Sequence, residues 1–249
     1  MTFPIDNPEA ADLLQRLAST DAGVRRVAVL DFADVEDAAV LPALAQVLRA
    51  DPDPTLRAEA ARALAGWDDG DVVDALAAAL RDVPAVREAA ATALTELKDP
   101  CVARRLLPHA AATEAFVCGA ALRGLKEVRV PEAAEPAAAA LAHTDATVRR
   151  EAVGVLGWLK QAEALPLLAR AAADDPDPEV RRAATGALGM ASRKEDIHAV
   201  LPALRAALQD DEWPVREEAA TTLGKLGERA ASPALRAAMA DDYWQVRLR

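Results

Sequence analysis

Between Asp174 and Ala191 the chain reads DDPDPEVRRAATGALGMA, and relatives of this stretch recur along the whole sequence. A repeat of this kind constrains a fold more than any other sequence feature. Each copy is one small unit that must bury its apolar face on a neighbour. Within the stretch, Asp177 is placed to cap a helix, its carboxylate accepting from free N–H groups of the first turn. Pro178 follows at the first helical position, where its missing N–H costs nothing. Val180, Ala184, Leu188 and Ala191 then form one apolar stripe of a helix.

The same anchor appears as Val24-Arg25, Leu56-Arg57, Val86-Arg87, Val148-Arg149, Val180-Arg181, Val215-Arg216 and Val246-Arg247, with a degenerate copy at Glu114-Ala115. The mean spacing is about 32 residues. Four residues after the anchors stand Ala28, Ala60, Ala90, Cys118, Ala152, Ala184 and Ala219. Eight after stand Phe32, Leu64, Leu94, Leu122, Leu156, Leu188 and Leu223. A leucine column set one helical turn beyond an alanine column does not follow from alanine-rich composition. Hydrophobic residues make up 52% of the chain but aromatics only 3%, so alanine and leucine must do the packing. Both favour helix, and no run of alternating β-branched residues reads as a strand. The class is all-α.

The spacing predicts helix pairs. These are 8–19 with 24–35, 37–49 with 54–67, 71–81 with 84–98, 101–112 with 114–126, 132–142 with 146–160, 162–173 with 178–191, and 195–209 with 214–227. Residues 229–240 open an eighth pair, whose second helix stops just after Val246-Arg247, as in a truncated array. Pro42, Pro166, Pro202 and Pro233 are expected near the starts of first helices. The net charge of −11 argues against nucleic acid or an anionic membrane as the main partner. Cys101 and Cys118 have no metal-ligand spacing and are read as two small core residues of a reduced, cytoplasmic protein. There is no secretory signal and no apolar run of transmembrane length.

The Asp-x-x-Val-Arg, Ala and Leu columns resemble HEAT-like repeats of the phycobilisome-lyase type, over nearly the whole chain. The resemblance implies one right-handed α-solenoid (an α/α superhelix) spanning residues 1–249, with about eight two-helix repeats, the last incomplete. It implies that the second helices line the concave face. It also implies a ladder between repeats, joining Arg25, Arg57, Arg87, Arg149, Arg181, Arg216 and Arg247 to aspartates including Asp21, Asp53, Asp145 and Asp177. Ala115 replaces arginine in the fourth unit, so the ladder is expected to break there. Such proteins include chromophore lyases, iron-binding hydroxylases, a DNA glycosylase-like branch and plain scaffolds. The hydroxylases resemble one another in repeated His-Glu pairs, whereas His109, His143 and His198 are not followed by Glu. No metal and no cofactor is therefore expected.

No phosphate loop, nucleophile elbow or zinc motif is present, so catalytic residues are expected to be none. Gly157, Gly189 and Gly224 share a column and read as points of close helix packing. Six residues after the anchors stand Leu30, Arg62, Thr92, Ala120, Gly154, Gly186 and Thr221, on the side away from the core stripe. In the middle units this column makes a small-residue floor, Ala120, Gly154 and Gly186. Phe116, Trp158 and Met190 would wall it and Arg150 and Arg182 would close one end, with Gly124 flanking. Aromatic, methionine and arginine side chains are enriched at binding surfaces. The expectation is a non-enzymatic scaffold or assembly factor taking a protein or peptide partner there. The alternative is a cofactor-attachment enzyme or chaperone resembling bilin lyases. Trp213 and Trp244 share a column where they would cover neighbouring repeats, and Trp67 reads as core.

Overall fold

The computed structural model describes residues 7–248. They form helices and short 3-10 turns, with no strand among the described residues. The chain divides into two compact units between Val130 and Pro131.

The first unit holds α1 (Pro8–Leu17), α2 (Ala22–Val35), α3 (Leu41–Ala50), α4 (Pro54–Ala63), α5 (Gly70–Ala79), α6 (Pro84–Leu94), α7 (Pro100–Ala103) and α8 (Ala115–Glu127). The second holds α9 (Ala134–Ala140), α10 (Ala146–Leu159), α11 (Leu165–Asp174), α12 (Pro178–Ala187), α13 (Lys194–Ala207), α14 (Trp213–Leu226), α15 (Ser232–Ala238) and α16 (Trp244–Arg247). Helices alternate between two layers. The second helices pack in the order α2, α4, α6, α8 in one unit and α10, α12, α14, α16 in the other. First helices form the other layer, as in α1, α3, α5 and in α11, α13. This is the layered packing of an α-solenoid.

The sequence columns form the core. All seven residues of the alanine column and all seven of the leucine column are buried. So are the anchors from Leu56 onward, apart from Glu114, while Val24 in the first repeat is 37% exposed. Each buried leucine contributes about 1.5–3 kcal/mol of transfer free energy. Asp177 caps its helix as the sequence predicts, and Asp21, Asp53 and Asp145 do the same in their repeats, each accepting a backbone N–H two residues on.

Three expectations fail. The helix expected over 101–112 is only Pro100–Ala103, followed by 3-10 turns at Arg104–Leu106 and His109–Ala111. Pro108 has no N–H for a helical bond, and its ring clashes with the preceding turn. Pro202 lies inside α13 and not near its start, because that helix has extra turns upstream of Leu201. Cys101 is exposed, and only Cys118 is buried, its thiol donating to the Ala110 carbonyl at 3.0 Å.

The ladder exists, but with other aspartates. Arg25, Arg57, Arg149, Arg181 and Arg216 each clasp both oxygens of one carboxylate in the next turn. Those carboxylates are Asp51, Asp82, Asp175, Asp210 and Asp241. The Nε bonds are 2.6–2.8 Å long. Nη1 of each arginine donates to the carbonyl six residues before it, in its own turn. Asp21, Asp53, Asp145 and Asp177 are occupied as caps. In four of the rungs the acceptor stands two residues before the cap position and also takes the backbone N–H there, as Asp51 does from Asp53 at 2.9 Å.

The column is consistent where it is empty. Ala115 carries no guanidinium, and the acceptor position of the following turn is His143, not aspartate. His143 Nδ1 keeps the local task, accepting the Asp145 N–H at 3.0 Å. In the first turn Ser19 Oγ does the same for Asp21 at 3.2 Å. The boundary between the compact units lies in this same interval.

A longer period is superimposed. The α2–α4 and α10–α12 segments have the same element bounds displaced by 124 residues, including the 3-10 turns Ala38–Val40 and Ala162–Ala164. Glu36 and Lys160, at φ 44° and 54°, take the same left-handed position after α2 and α10.

The rungs are close to buried: in the Arg149–Asp175 pair the side chains are 10% and 7% exposed. Burial pushes the Asp175 carboxyl up, but the Arg149 hydrogen bonds and the Asp177 N–H outweigh it and hold it below the usual carboxylate range. Asp51 and Asp210 follow the same balance. For Asp82 and Asp241 the arginine hydrogen bond is the largest influence. A carboxyl depressed in the folded state stabilises fully above the ordinary value of about 4, and that stability is lost as pH falls through the depressed value. Asp175→Asn is expected to cost about 2–3 kcal/mol at neutral pH. It should also flatten the loss of stability below about pH 4. Urea denaturation of both proteins across pH 3–7 checks this.

Candidate second-helix site

The expected site residues divide between the units. Phe116 lies on α8 in the first. Arg150, Gly154 and Trp158 lie on α10, and Arg182, Gly186 and Met190 on or after α12, in the second. Each group is therefore described within its own unit.

On α10 the i, i+4, i+8 spacing puts Arg150, Gly154 and Trp158 on one stripe, two helical turns long. Arg150 is exposed and makes no ion pair among the described residues. Trp158 is 44% exposed, a large apolar surface for a helix otherwise packed on α12. Gly154 is half-buried between them. This stripe has a cation at one end, an indole at the other and no side chain in the middle.

The α12 stripe is partly filled from within. Arg182 is held by Glu179, with Nη2 2.8 Å and Nε 3.1 Å from Oε2. That hydrogen bond raises the guanidinium pKa, with smaller contributions from the charges of Glu218 and Glu217. A Cβ at Gly186 would lie 2.8 Å from Glu218 Oε1, so the carboxylate of α14 already occupies that space. Met190 lies half-buried in the 3-10 turn Leu188–Met190, because α12 ends at Ala187.

Glu179 and Glu218 were missed by sequence reasoning, though one signal was present. Arg26 of α2 bonds Glu59 of α4 at 2.7 Å. These are the residues two after one anchor and three after the next, the same columns as Arg182 and Glu218.

In the first unit Ala120 is buried and not a groove floor. Phe116 is half-buried, with the Arg87 guanidinium 4.5 Å from its ring centroid. Gly124 is buried rather than flanking a groove: a Cβ there would lie 2.9 Å from Leu106 Cδ1 and 3.1 Å from the Leu94 carbonyl oxygen. Of the three glycines expected at close packing, Gly157 and Gly189 meet it, at 3.0 Å from Ala187 Cβ and 3.3 Å from Thr222 Cγ2. Gly224 has nothing within 4 Å. Trp213 stacks on Tyr243 at 5.7 Å, Trp244 is 59% exposed, and Trp67 leans on Phe32 at 5.8 Å.

Among the described residues no cluster of three or more His, Cys, Asp or Glu could hold a metal ion. No helix of the described residues is long and apolar enough to cross a membrane.

A family model of HEAT repeats matches residues 41–122, 117–189 and 171–249. No curated protein matches the chain. Among solved structures, Escherichia coli YibA is 19% identical, with 99% of this chain and 86% of that chain covered and a TM-score of 0.57. A structure of Kap95p with RanGDP is 16% identical, with 96% of this chain but 38% of that chain covered and a TM-score of 0.62. The CpcE–CpcF complex of phycocyanin lyase from Nostoc is 25% identical, with 95% and 96% covered and a TM-score of 0.44. At 19% and 16% identity the likeness to the first two is one of fold.

Gly124 and Gly186 differ in what an added Cβ would strike. Gly124→Ala meets backbone and should cost about 1–3 kcal/mol by overpacking. Gly186→Ala meets only the end of a flexible side chain and gains up to about 1 kcal/mol of helix propensity. The urea midpoint is expected to fall for the first and to hold or rise for the second.

Proposed function

The chain belongs to the HEAT-repeat family, and from that premise we propose that it is a non-enzymatic scaffold or assembly factor. It binds a protein or peptide along the face of its second helices, the concave side of such a solenoid. The supporting observation is the α10 stripe. Arg150 without an ion pair, Gly154 without a side chain and Trp158 at 44% exposure lie side by side. Folding gains little from leaving an indole this exposed. Aromatic and arginine anchors beside a shallow floor are what interfaces enrich.

Arg182, Gly186 and Met190 belong to the same reading as its second row. There the partner must compete with Glu179 and Glu218, so α10 carries most of the affinity. The partner chemistry is an apolar or aromatic side chain set against Trp158, with an acidic residue about two helical turns away at Arg150. Phe116 lies in the other unit, engaged with Arg87, and is no part of the α10 stripe. Nucleic acid and membrane are not its partners in this reading, and it is cytoplasmic and needs no cofactor.

A selection of phage-displayed peptides on the immobilised chain tests the proposal. Selected peptides are expected to carry an aromatic or large aliphatic residue and an acid. They should bind Trp158→Ala and Arg150→Glu at least about tenfold more weakly, as loss of one interface hot spot does. Circular dichroism should show unchanged helicity in both variants. Peptides that bind both variants as well as the parent chain would remove the site.

A further inference from the structure

Arg87 is the arginine of its repeat's anchor, in the same column as the five that form rungs. Where the column lacks an arginine, at Ala115, the next turn also lacks the acid. Arg87 breaks that pairing. The 25-residue separation of the Arg57–Asp82 rung puts its acceptor at Ala112, two residues before the N-cap Glu114. Thus the guanidinium is kept and its carboxylate is gone.

The consequence is visible at the atoms. Arg87 Nε is buried and has no hydrogen-bond partner, whereas Nε of every other rung arginine donates to a carboxylate. The guanidinium carbon lies 4.5 Å from the centroid of the Phe116 ring. An aromatic under the guanidinium does not prevent pairing. Arg216 lies 5.5 Å from the Tyr243 ring centroid and binds Asp241 with both nitrogens. Glu114, the residue at the start of the following helix, is bonded to Arg81 at 2.9 Å. His109 is pushed toward its neutral form by burial and by the charge of Arg81. Ala112 is half-buried and Thr113 and Glu114 are exposed, so the vacant position lies at the surface edge of the turn.

We infer that Arg87, backed by Phe116, is a binding site for a carboxylate supplied from outside the chain. That carboxylate takes the place of the aspartate missing at residue 112. Five internal copies define the ligand: a planar group accepting from Nε and one Nη. The site lies in the first unit and shares no residue with the α10 stripe, so it stands or falls independently of the peptide face.

The test is NMR of arginine Nε–Hε resonances in the full chain. Sodium acetate is titrated at constant ionic strength against sodium chloride, and a blocked Gly-Asp-Gly peptide is titrated in parallel. Arg87 Hε is expected to shift saturably in the millimolar range with acetate, while Arg57 and Arg149 stay fixed. A stronger response to the peptide would assign the site to an aspartate of a protein partner, and a stronger response to acetate to a small free acid. Ala112→Asp should bring Arg87 Hε to the rung position without ligand and cut the response at least fivefold. Should that variant misfold, Arg87→Gln takes its place, read at the amides of Thr113 and Glu114. A response to acetate no larger than to chloride, or one undiminished in the variants, overturns the inference.

Discussion

In five of the repeats a single guanidinium reads two turns at once. Its Nη1 bonds a carbonyl of its own turn, while Nε and Nη2 bond a carboxylate of the next. The alanine and leucine columns are apolar and nearly featureless, and could slide past one another at little cost. A bidentate pair cannot slide, because both partners are almost fully removed from water. Its net contribution to stability is modest, since desolvation opposes it. Its effect on register is large, because a misplaced neighbour leaves a buried charge alone.

The acceptor's second bond explains why the turn is built as it is. Asp51 and Asp175 each accept from an arginine and from the N–H two residues on. That fixes the extended backbone from which the cap aspartate reaches the first turn of helix. Pairing, turn and cap are thus one unit, and the Asp-Pro-Asp-Pro pattern is its trace in sequence. Length differences go elsewhere: the rung to Asp210 spans 29 residues where that to Asp175 spans 26. Four residues are added upstream of Leu201-Pro202, and one is lost between Leu201 and Asp210.

Helices and core were legible in the sequence because burial acts on whole columns and leaves a period. The ladder was legible only in part. Two aspartates stand in each Asp-Pro-Asp-Pro turn, and composition alone does not say which caps and which pairs. The backbone decides, by placing Asp53 at the helix start and Asp51 beneath the neighbouring arginine. Gly186 looked like an open floor for a similar reason. A glycine announces space, but Glu218, from the next repeat, fills it. Ala120 and Gly124 were assigned to a groove by register alone, and their burial depends on what packs against them.

The loss of the arginine at Ala115 and of the acid at His143 has a consequence for how such a chain can change. Severing or recombining an array at any intact rung leaves a guanidinium without its acid. Between Ala115 and His143 there is neither to leave. This interval holds the boundary at Val130, and the α2–α4 and α10–α12 segments on either side share the same bounds 124 residues apart. It is therefore a seam at which a chain of repeats can be cut or joined without breaking an arginine–aspartate rung.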